Sequence, residues 1–543
     1  SGALLHVLSE GFVNNQDIQA ARAYHEATKL SYINLANKPP QYKSYGALPK
    51  VSLPIDPQAP EMPVLRAVAG RRSGRGDLDL DALARILFFS AGVTRKRVLP
   101  VAGEVNYRAA ASAGALFPVE IYLVCQDIPG LAAGVYHFAP AEFSLRRLRK
   151  GDYRSQLLSA TADHRDIATA PATIVCTAIF WRSAWKYRER GYRYCFWDTG
   201  TILANLLAVS SALGLEARLV AGFLDAQVDH LLGIESQREA TICLVPLGMD
   251  LGSPHDRDTM NLSPLPDHGL EAFEKRVDYP EMLRAHAVSS LATQEEVAAW
   301  RVPQHGEEGL HGEYLEEIPP TQIDSDQPPS GALGEVILSR GSTRRFARQS
   351  ISRAHLSVVL SCSTRGVHAD FRGPGGAGLS DIYLIANAVD GLPSGSYFFS
   401  PSSGEMELLR EGDFREEAGH LCFEQALGAD SSAVAFFMAD LDWVLGRYGN
   451  RGYRAAQLEA GIMGGNMYLC AHGLGLGATG MTFYDDEVTE FFAPHGAGKS
   501  LMFLVALGVT DRRNRVRPFR SRVGVLLDSL ARGARGMLPS VNS

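Results

Sequence analysis

The pattern of apolar and polar positions runs through the same course twice along this chain. A helical pattern opens each course, a turn rich in glycine and serine leads into apolar strand positions, and a long apolar helix and a last strand close it. The ranges, first copy before second, are Leu80–Ala91 and Ser352–Ser361 for the opening helix, Val119–Val124 and Asp381–Ala386 for the first strand, a strand pair near Tyr136 and near Tyr397, Ala172–Ile179 and Ala433–Ala439 for the next strand, Tyr194–Leu213 and Ala455–Leu474 for the long helix, and 240–248 and 501–508 for the last strand. Mixed strands and helices without strict βαβ alternation predict an α+β fold.

Identical residues recur between the two copies at one constant spacing of 261 residues. Tyr122 and Tyr383 mark one end of this match, and Asn205 and Asn466 mark the other. Between them, the sequence Arg-Gly-Tyr-Arg occurs once in each copy. Chance does not keep one spacing over so long a stretch, so the chain is a tandem duplication of a whole domain rather than a short-repeat array. We therefore expect the two copies to pack as a pseudo-dimer within one chain, with sites between them, and further homo-oligomerisation is compatible with this arrangement.

Proline and composition set the expected domain boundaries. Helix formers in 15–36 give way to Pro39, Pro40 and Pro49, so residues 1–60 are predicted to form a helical and extended N-terminal segment. The first repeat is expected over 61–290 and the second over 334–530. An acidic stretch rich in glycine and proline predicts an exposed linker over 291–333.

Composition and charge exclude several classes of protein. The 543 residues are 46% hydrophobic and 21% charged with a net charge of −7, which favours an ordinary globular protein over a general nucleic-acid binder. The seven cysteines include no CxxC pair, so we expect neither a metal site nor a disulfide framework, and a reduced, cytoplasmic protein. We expect no secretory signal at the start, and no apolar run approaches the roughly 20 residues that span a bilayer.

An arginine–serine cluster precedes the opening helix of each repeat. The first is Arg71, Arg72, Ser73 and Arg75, and the second is Arg340, Ser342 and Arg344. Guanidinium groups bind phosphate oxygens in fixed bidentate geometry, and a serine hydroxyl adds a donor. Either cluster alone reads as a solvated charged patch, but its retention at matching places favours phosphate binding.

Three further segments are candidates for site chemistry. Small residues at Ser112, Ala113 and Gly114, matched by Gly376–Gly378, would let a flat ligand approach the backbone, or would simply turn the chain. Lys186 and Tyr187 can exchange protons once their pKa values are shifted, or can pack a basic loop. Arg515 and Arg517 would form a second phosphate clamp or a solvated tail.

Taken in order, these segments resemble the nitroreductase-like flavoproteins, and within them the SagB-type branch of thiazoline/oxazoline oxidases. The first repeat matches over nearly its whole length and the second more loosely. The matching segments are Tyr24–Lys29, the Arg71–Arg75 cluster, the loop Arg108–Pro118, the strand Gly134–Phe138, the segment Lys186–Arg193, the start of the long helix at Asp198–Asn205, and Leu219–Phe223.

The resemblance implies two FMN domains whose sites are each shared between the repeats. The arginines and serine of one repeat would hold the FMN phosphate, the Ser-Ala-Gly loop of the other would complete the site, and Ala221 and Gly222 would lie along the flavin ring. Two composite sites follow: Arg71, Ser73 and Arg75 with the Gly376–Gly378 loop, and Arg340, Ser342, Arg344, Arg515 and Arg517 with the Ser112–Gly114 loop. The second has more cationic donors and keeps the serine, so it is the favoured one if a single site is filled.

The resemblance also makes Lys186 and Tyr187 the catalytic pair of an azoline oxidase. The second repeat has Arg447 and Tyr448 there, and because arginine stays protonated, that repeat is not expected to supply a pair of its own. The leading hypothesis is an FMN-dependent dehydrogenase that oxidises thiazoline or oxazoline rings in a peptide, with other enzymes of a peptide-modifying pathway as partners. Two alternatives stay open: an NAD(P)H-dependent reductase of nitro or quinone compounds, and a non-catalytic scaffold subunit.

Overall fold

A computed structural model describes residues 15, 18–29, 39–70, 76–99, 103–248, 262–263, 265, 277–301, 330–365, 367–372, 378–401 and 403–511. The helices of this part of the chain are Ile18–Ala27, Val64–Val68, Leu80–Ala91, Arg154–Ala160, Arg165–Thr169, Phe180–Tyr187, Gly191–Ala212, Asp225–Leu232, Pro280–Val288, Gln294–Arg301, Leu333–Ser339, Arg353–Ser363, Arg415–Leu421, Ala426–Asp430, Leu441–Tyr448, Asn450–Gly473 and Asp485–Phe491. Short 3₁₀ turns lie at Ala113–Ala115 and Arg188–Arg190.

Each repeat is built on one antiparallel six-stranded sheet. The strand order in the first sheet is Lys50–Ser52, Ser144–Lys150, Gly134–Ala139, Val119–Cys125, Ala172–Ile179 and Glu239–Leu247. The order in the second is Met406–Glu411, Gly395–Phe399, Asp381–Ala386, Ala433–Ala439, Ser500–Gly508 and Gly477–Gly480. Five strands follow the same order in both sheets, which confirms the duplication and the α+β class. Two-stranded ribbons, Val93–Leu99 with Gly103–Arg108 and Ile351–Ser352 with Val389–Asp390, complete the strands of the described residues.

The predicted helices and strands agree best with those of the structure where the chain is apolar. The strands Ala172–Ile179 and Ala433–Ala439 have the predicted bounds and are buried along their whole length. The two long helices begin three to five residues earlier than predicted, at Gly191 and Asn450, because the arginines of their first turns are buried rather than solvated. Part of the predicted linker is also folded, since the helix Gln294–Arg301 buries Val297 and Trp300.

The two long helices pack against each other through glycines at equivalent positions. A Cβ atom on Gly200 would lie 2.4 Å from the carbonyl carbon of Gly461, and one on Gly461 would lie 2.8 Å from the Cα of Trp197. Gly200 and Gly461 are separated by the repeat spacing of 261 residues. The helix backbones therefore meet at a pseudo-two-fold axis, and the repeats form the expected intramolecular pseudo-dimer.

Two buried ion clusters lock this arrangement, and they explain the repeated Arg-Gly-Tyr-Arg sequence. In the first repeat, Arg190 and Arg193 donate to the two carboxylate oxygens of Asp485 at 2.7 and 2.5 Å. In the second, Arg451 and Arg454 donate to Asp225 at 2.7 and 2.6 Å. Each aspartate begins a short helix of the opposite repeat. The Arg-Gly-Tyr-Arg sequence, which resembles a basic loop, therefore forms ion pairs that join each repeat to the other.

Replacing Asp485 with asparagine should destabilise the protein by about 3–5 kcal/mol, because two arginines would be left buried without a counter-charge. Burial alone would raise the pKa of Asp485, but Arg193 and Arg190 outweigh it and lower the pKa to about 2. This stabilisation is therefore present above the unfolded-state pKa near 4 and is lost as pH falls towards 2.

The neighbouring Asp486 provides the matched control for this substitution. Asp486 pairs with Lys29 at 2.8 Å on the exposed surface, so Asp486→Asn should cost no more than about 1 kcal/mol. Chemical denaturation of both variants at neutral pH measures the difference. Equal midpoints for the two variants would contradict the role given to the cluster.

Candidate active site

Lys186 and Tyr187 end the helix Phe180–Tyr187 and face the small-residue loop of the same repeat. Gly114 has φ +62°, a conformation that favours glycine, and a Cβ there would lie 3.0 Å from both Lys186 Nζ and Tyr187 OH. Both side chains are half-buried, and neither polar tip makes a hydrogen bond to another described residue. The ammonium group of Lys186 and the phenol of Tyr187 thus lie directly against the backbone of the loop.

A buried aspartate holds this loop in place. Asp198 accepts hydrogen bonds from Ser112 Oγ at 2.5 Å and from the Ala113 amide at 3.0 Å, and Ser112 Oγ accepts one from the Phe117 amide at 2.9 Å. Burial raises the pKa of Asp198 to about 7 against the opposing effect of these hydrogen bonds. Asp198 is not among the site residues predicted from the sequence. It could have been recognised as an acidic residue inside an apolar helix, with Glu459 at the same position in the second repeat.

The second repeat brings its arginine–serine cluster to the same place. Arg344 is exposed and makes no hydrogen bond or ion pair with another described residue. Arg340 is buried, donates to the Ala109 carbonyl at 2.8 Å and lies 5.4 Å from the centroid of Tyr468. Ser342 lies 3.2 Å from the hydroxyl of Tyr468. Arg340 thus joins its repeat to the segment that precedes the Ser112–Gly114 loop.

The charges of the site set the protonation of the pair. Burial lowers the pKa of Lys186, and the positive charge of Arg344 lowers it further. Burial raises the pKa of Tyr187 well above its ordinary value, with Tyr194 and Asp198 acting in the same direction. Lys186 therefore loses its proton more readily than an ordinary lysine and can act as a neutral base, while Tyr187 stays protonated and can act as a donor. Arg190 and Arg193 are close to Lys186 in the sequence but are paired with Asp485, so the cation that lowers the pKa of Lys186 is Arg344 of the other repeat.

Tyr194 and Thr482 support the pair from behind. The rings of Tyr187 and Tyr194 are stacked with centroids 4.0 Å apart, and the hydroxyl of Tyr194 lies 2.7 Å from Thr482 Oγ1. Thr482 belongs to the second repeat, so the tyrosine that stacks on Tyr187 is itself joined to the other repeat. Neither supporting residue stood out in the sequence, because the stack forms only once the repeats are packed. We call Ser112, Gly114, Lys186, Tyr187 and Arg344 the Lys186 site.

Ala221 and Gly222 belong to a different place, related to the Lys186 site by the pseudo-two-fold axis. Their amides donate to the carboxylate of Asp370 at 2.9 and 2.8 Å. Gly378 lies nearby in sequence, against Arg372 and Glu459. We call Ala221, Gly222, Trp300, Asp370 and Tyr448 the Asp370 site. The remaining predicted binding residues lie outside the described part of the chain: Arg71, Arg72, Ser73, Arg75, Gly376, Arg515 and Arg517.

Two further features are absent from the described residues. Within them, no cluster of three or more histidine, cysteine, aspartate or glutamate side chains is arranged to hold a metal ion. No helix in the same part of the chain has the length and apolar character needed to cross a membrane.

Comparison with known proteins identifies the family. The Nitroreductase family model matches twice, over residues 77–249 and 337–509. The chain belongs to the nitroreductase family. The crystal structure of a nitroreductase-like protein from Anabaena variabilis is similar over 91% of this chain and 99% of its own, with 25% identity and a TM-score of 0.70. That similarity spans both repeats, as the tandem arrangement requires.

Among curated proteins, the nitroreductase-like protein MJ1384 of Methanocaldococcus jannaschii is 30% identical over 196 residues, which is 35% of this chain and 93% of that protein. The microcin B17-processing protein McbC of Escherichia coli is 29% identical over 26% of this chain and 54% of its own length. The trifolitoxin-processing protein TfxB of Rhizobium leguminosarum bv. trifolii is 27% identical over 41% of this chain and 61% of its own. The chain thus spans little more than half of the length of McbC and of TfxB.

Proposed function

We propose that this protein is an FMN-dependent oxidoreductase whose chemistry takes place at the Lys186 site. The observation that carries the proposal is the meeting of Lys186 and Tyr187 with the exposed Arg344 of the other repeat, beside a loop that needs glycine. An acid/base pair next to an exposed arginine suits a ligand with both a redox-active ring and a phosphate.

The residues of the site fit FMN, the cofactor general to the nitroreductase family. Arg344 has no hydrogen-bond or ion-pair partner among the described residues, so its guanidinium can meet a phosphate. Arg340 and Ser342 lie beside it in the sequence, and Arg515 and Arg517 are further donors proposed from the sequence. The absence of a Cβ at Gly114 lets Lys186 Nζ and Tyr187 OH come close to the backbone of the loop that would complete the site. When bound, FMN would supply the acceptor for two electrons.

The protein's own groups would then handle protons. Lys186, with its lowered pKa, can take a proton from a substrate carbon or nitrogen when it is neutral. Tyr187, with its raised pKa, stays protonated and can donate a hydrogen bond that orients the substrate. Asp198 acts at a distance by fixing the Ser112–Gly114 loop.

We further propose that the substrate is a thiazoline or oxazoline ring within a peptide. Oxidation of such a ring to the aromatic azole removes a hydride and a proton, so it needs an electron acceptor and a base together. McbC and TfxB are both named as processing proteins of peptide products. Partners from a peptide-modifying pathway belong to the same proposal.

The assay that tests this function compares two substrates on the purified flavoprotein. A thiazoline-containing peptide should bleach the bound flavin under anaerobic conditions. The mass of the peptide should fall by that of two hydrogen atoms, as the ring becomes an azole. NAD(P)H with a nitro compound should do neither at a comparable rate. Rapid bleaching by NAD(P)H without azole formation would instead support the small-molecule reductase, to which the similarity with MJ1384 points.

A further inference from the structure

We infer that the Asp370 site is closed by the chain's own residues, so that this tandem protein holds a single flavin, at the Lys186 site. This inference rests on the proposed flavin function. It goes beyond it because a duplicated fold offers two symmetry-related places, and described side chains fill the one at Asp370.

The first observation is that a carboxylate already accepts hydrogen bonds from the two backbone amides that a flavin ring would need as donors. Both oxygens of Asp370 accept hydrogen bonds from Ala221 and Gly222, at 2.9 and 2.8 Å. Asp225 and Asp485 begin equivalent helices of the two repeats. Counting back from each aspartate makes Met481 and Thr482, at the Lys186 site, the equivalents of Ala221 and Gly222. No described side chain accepts a hydrogen bond from their amides. A charged acceptor therefore binds the two amides at the Asp370 site, and no described side chain does so at the Lys186 site.

The second observation is that the segment carrying Asp370 is fixed to the opposite repeat. The Leu219 amide donates to the His368 carbonyl at 2.8 Å, and the Asp370 amide donates back to the Leu219 carbonyl at 3.1 Å. Leu219 and Ala369 form a parallel β-bridge. The Asp370 carboxylate is thus positioned by backbone pairing across the pseudo-dimer.

The third observation is a tryptophan packed over Gly222. A Cβ on Gly222 would lie 2.9 Å from Trp300 Cε3 and 3.3 Å from Arg301 Cγ. Trp300 is 6% exposed and its indole N–H donates to the Tyr448 carbonyl at 3.1 Å. The helix Gln294–Arg301, which follows the first repeat, therefore covers the surface along which a flavin ring would have to lie.

The fourth observation is that the counterpart of the acid/base pair is engaged in packing. The Tyr448 hydroxyl donates to the Phe371 carbonyl at 2.9 Å, whereas the hydroxyl of Tyr187 makes no hydrogen bond within the described part of the chain. Arg447 lies against the rings of Trp443 and Tyr448, with its guanidinium 5.8 and 5.3 Å from their centroids. Neither residue is available to exchange a proton with a substrate.

The test is the molar ratio of FMN to chain, measured after saturation with FMN and desalting. Flavin is measured by absorbance after release, and protein by amino-acid analysis. We expect one FMN per chain in the unmodified protein. Two FMN per chain would overturn the inference. A chain that retains none would overturn the proposed flavin function instead, so the two failures are distinguishable.

Variants then assign the single flavin to its site. Arg344→Glu should lower the ratio, because it weakens FMN binding. Asp370→Asn, which keeps the shape of the side chain, and Trp300→Phe should both keep the ratio at one. Loss of flavin in both Asp370→Asn and Trp300→Phe, with unchanged circular dichroism and retention by Arg344→Glu, would place the flavin at the Asp370 site and overturn the inference.

Discussion

Lys186→Ala should lower turnover of the azoline peptide by about 100-fold or more, the usual contribution of a positioned acid/base group, while FMN content stays normal. Lys186 Nζ borders the loop at Gly114, and burial together with Arg344 lowers its pKa, so a neutral amine is accessible. Stopped-flow bleaching of the flavin by substrate measures the step directly. Wild-type bleaching rates in Lys186→Ala would remove Lys186 from the mechanism.

The conservative variants separate a proton-transfer role from a packing role. Lys186→Arg keeps the charge and length but cannot accept a proton, so it should be as slow as alanine. Tyr187→Phe keeps the ring that stacks on Tyr194 and loses only the hydroxyl, so a rate loss there reports the hydroxyl. Full activity in both would favour the packing interpretation.

The pH dependence has a defined sign. The base works as a neutral amine, so the rate should rise with pH through the lowered pKa of Lys186. Removing the charge of Arg344, as in Arg344→Gln assayed with saturating FMN, should move this rise to higher pH, because Arg344 favours the neutral form.

The sequence predicted the elements and the duplication well, because both depend on local pattern. The buried strand Ala172–Ile179 is a continuous apolar run, and its copy Ala433–Ala439 reads the same way. Apolar runs of this kind fix the strand whatever its neighbours are, so their bounds needed no tertiary information. The predicted closeness of the Arg340–Arg344 cluster to the Ser112–Gly114 loop came from the resemblance, and no periodicity could have supplied it.

Features that depend on packing between the repeats could not be predicted. Arg190 reads as part of a basic loop because its partner Asp485 lies 295 residues further along the chain. The family resemblance implies that Ala221 and Gly222 lie along a flavin ring, but it cannot show that Asp370 accepts the hydrogen bonds of their amides. Tyr194 is one aromatic among many until its ring is found on Tyr187.

Arg344→Glu should weaken FMN binding by at least about tenfold, since a hydrogen bond to a charged group contributes about 1.5–3 kcal/mol and the new carboxylate repels the phosphate. Arg344 is the informative position in its cluster because it is exposed and has no hydrogen bond or ion pair among the described residues, so its replacement disturbs no packing. Arg340→Glu should also lose FMN, but there the buried contact with Ala109 is lost as well. Arg344→Lys keeps the positive charge and should retain most of the binding.

The matched control is the equivalent cluster of the first repeat, at Arg71 and Arg75. Charge reversal at Arg340 should weaken FMN retention more than reversal at Arg71, and reversal at Arg344 more than reversal at Arg75. Both orders follow if the phosphate lies beside the loop that keeps Ser112, held by Asp198, because Gly376 occupies the matching place in the other loop and offers no hydroxyl. Titration of the apoprotein with FMN, followed by flavin fluorescence, gives the dissociation constants. A larger loss at Arg71 and Arg75 would move the phosphate site to the first repeat's cluster and separate it from Lys186 and Tyr187.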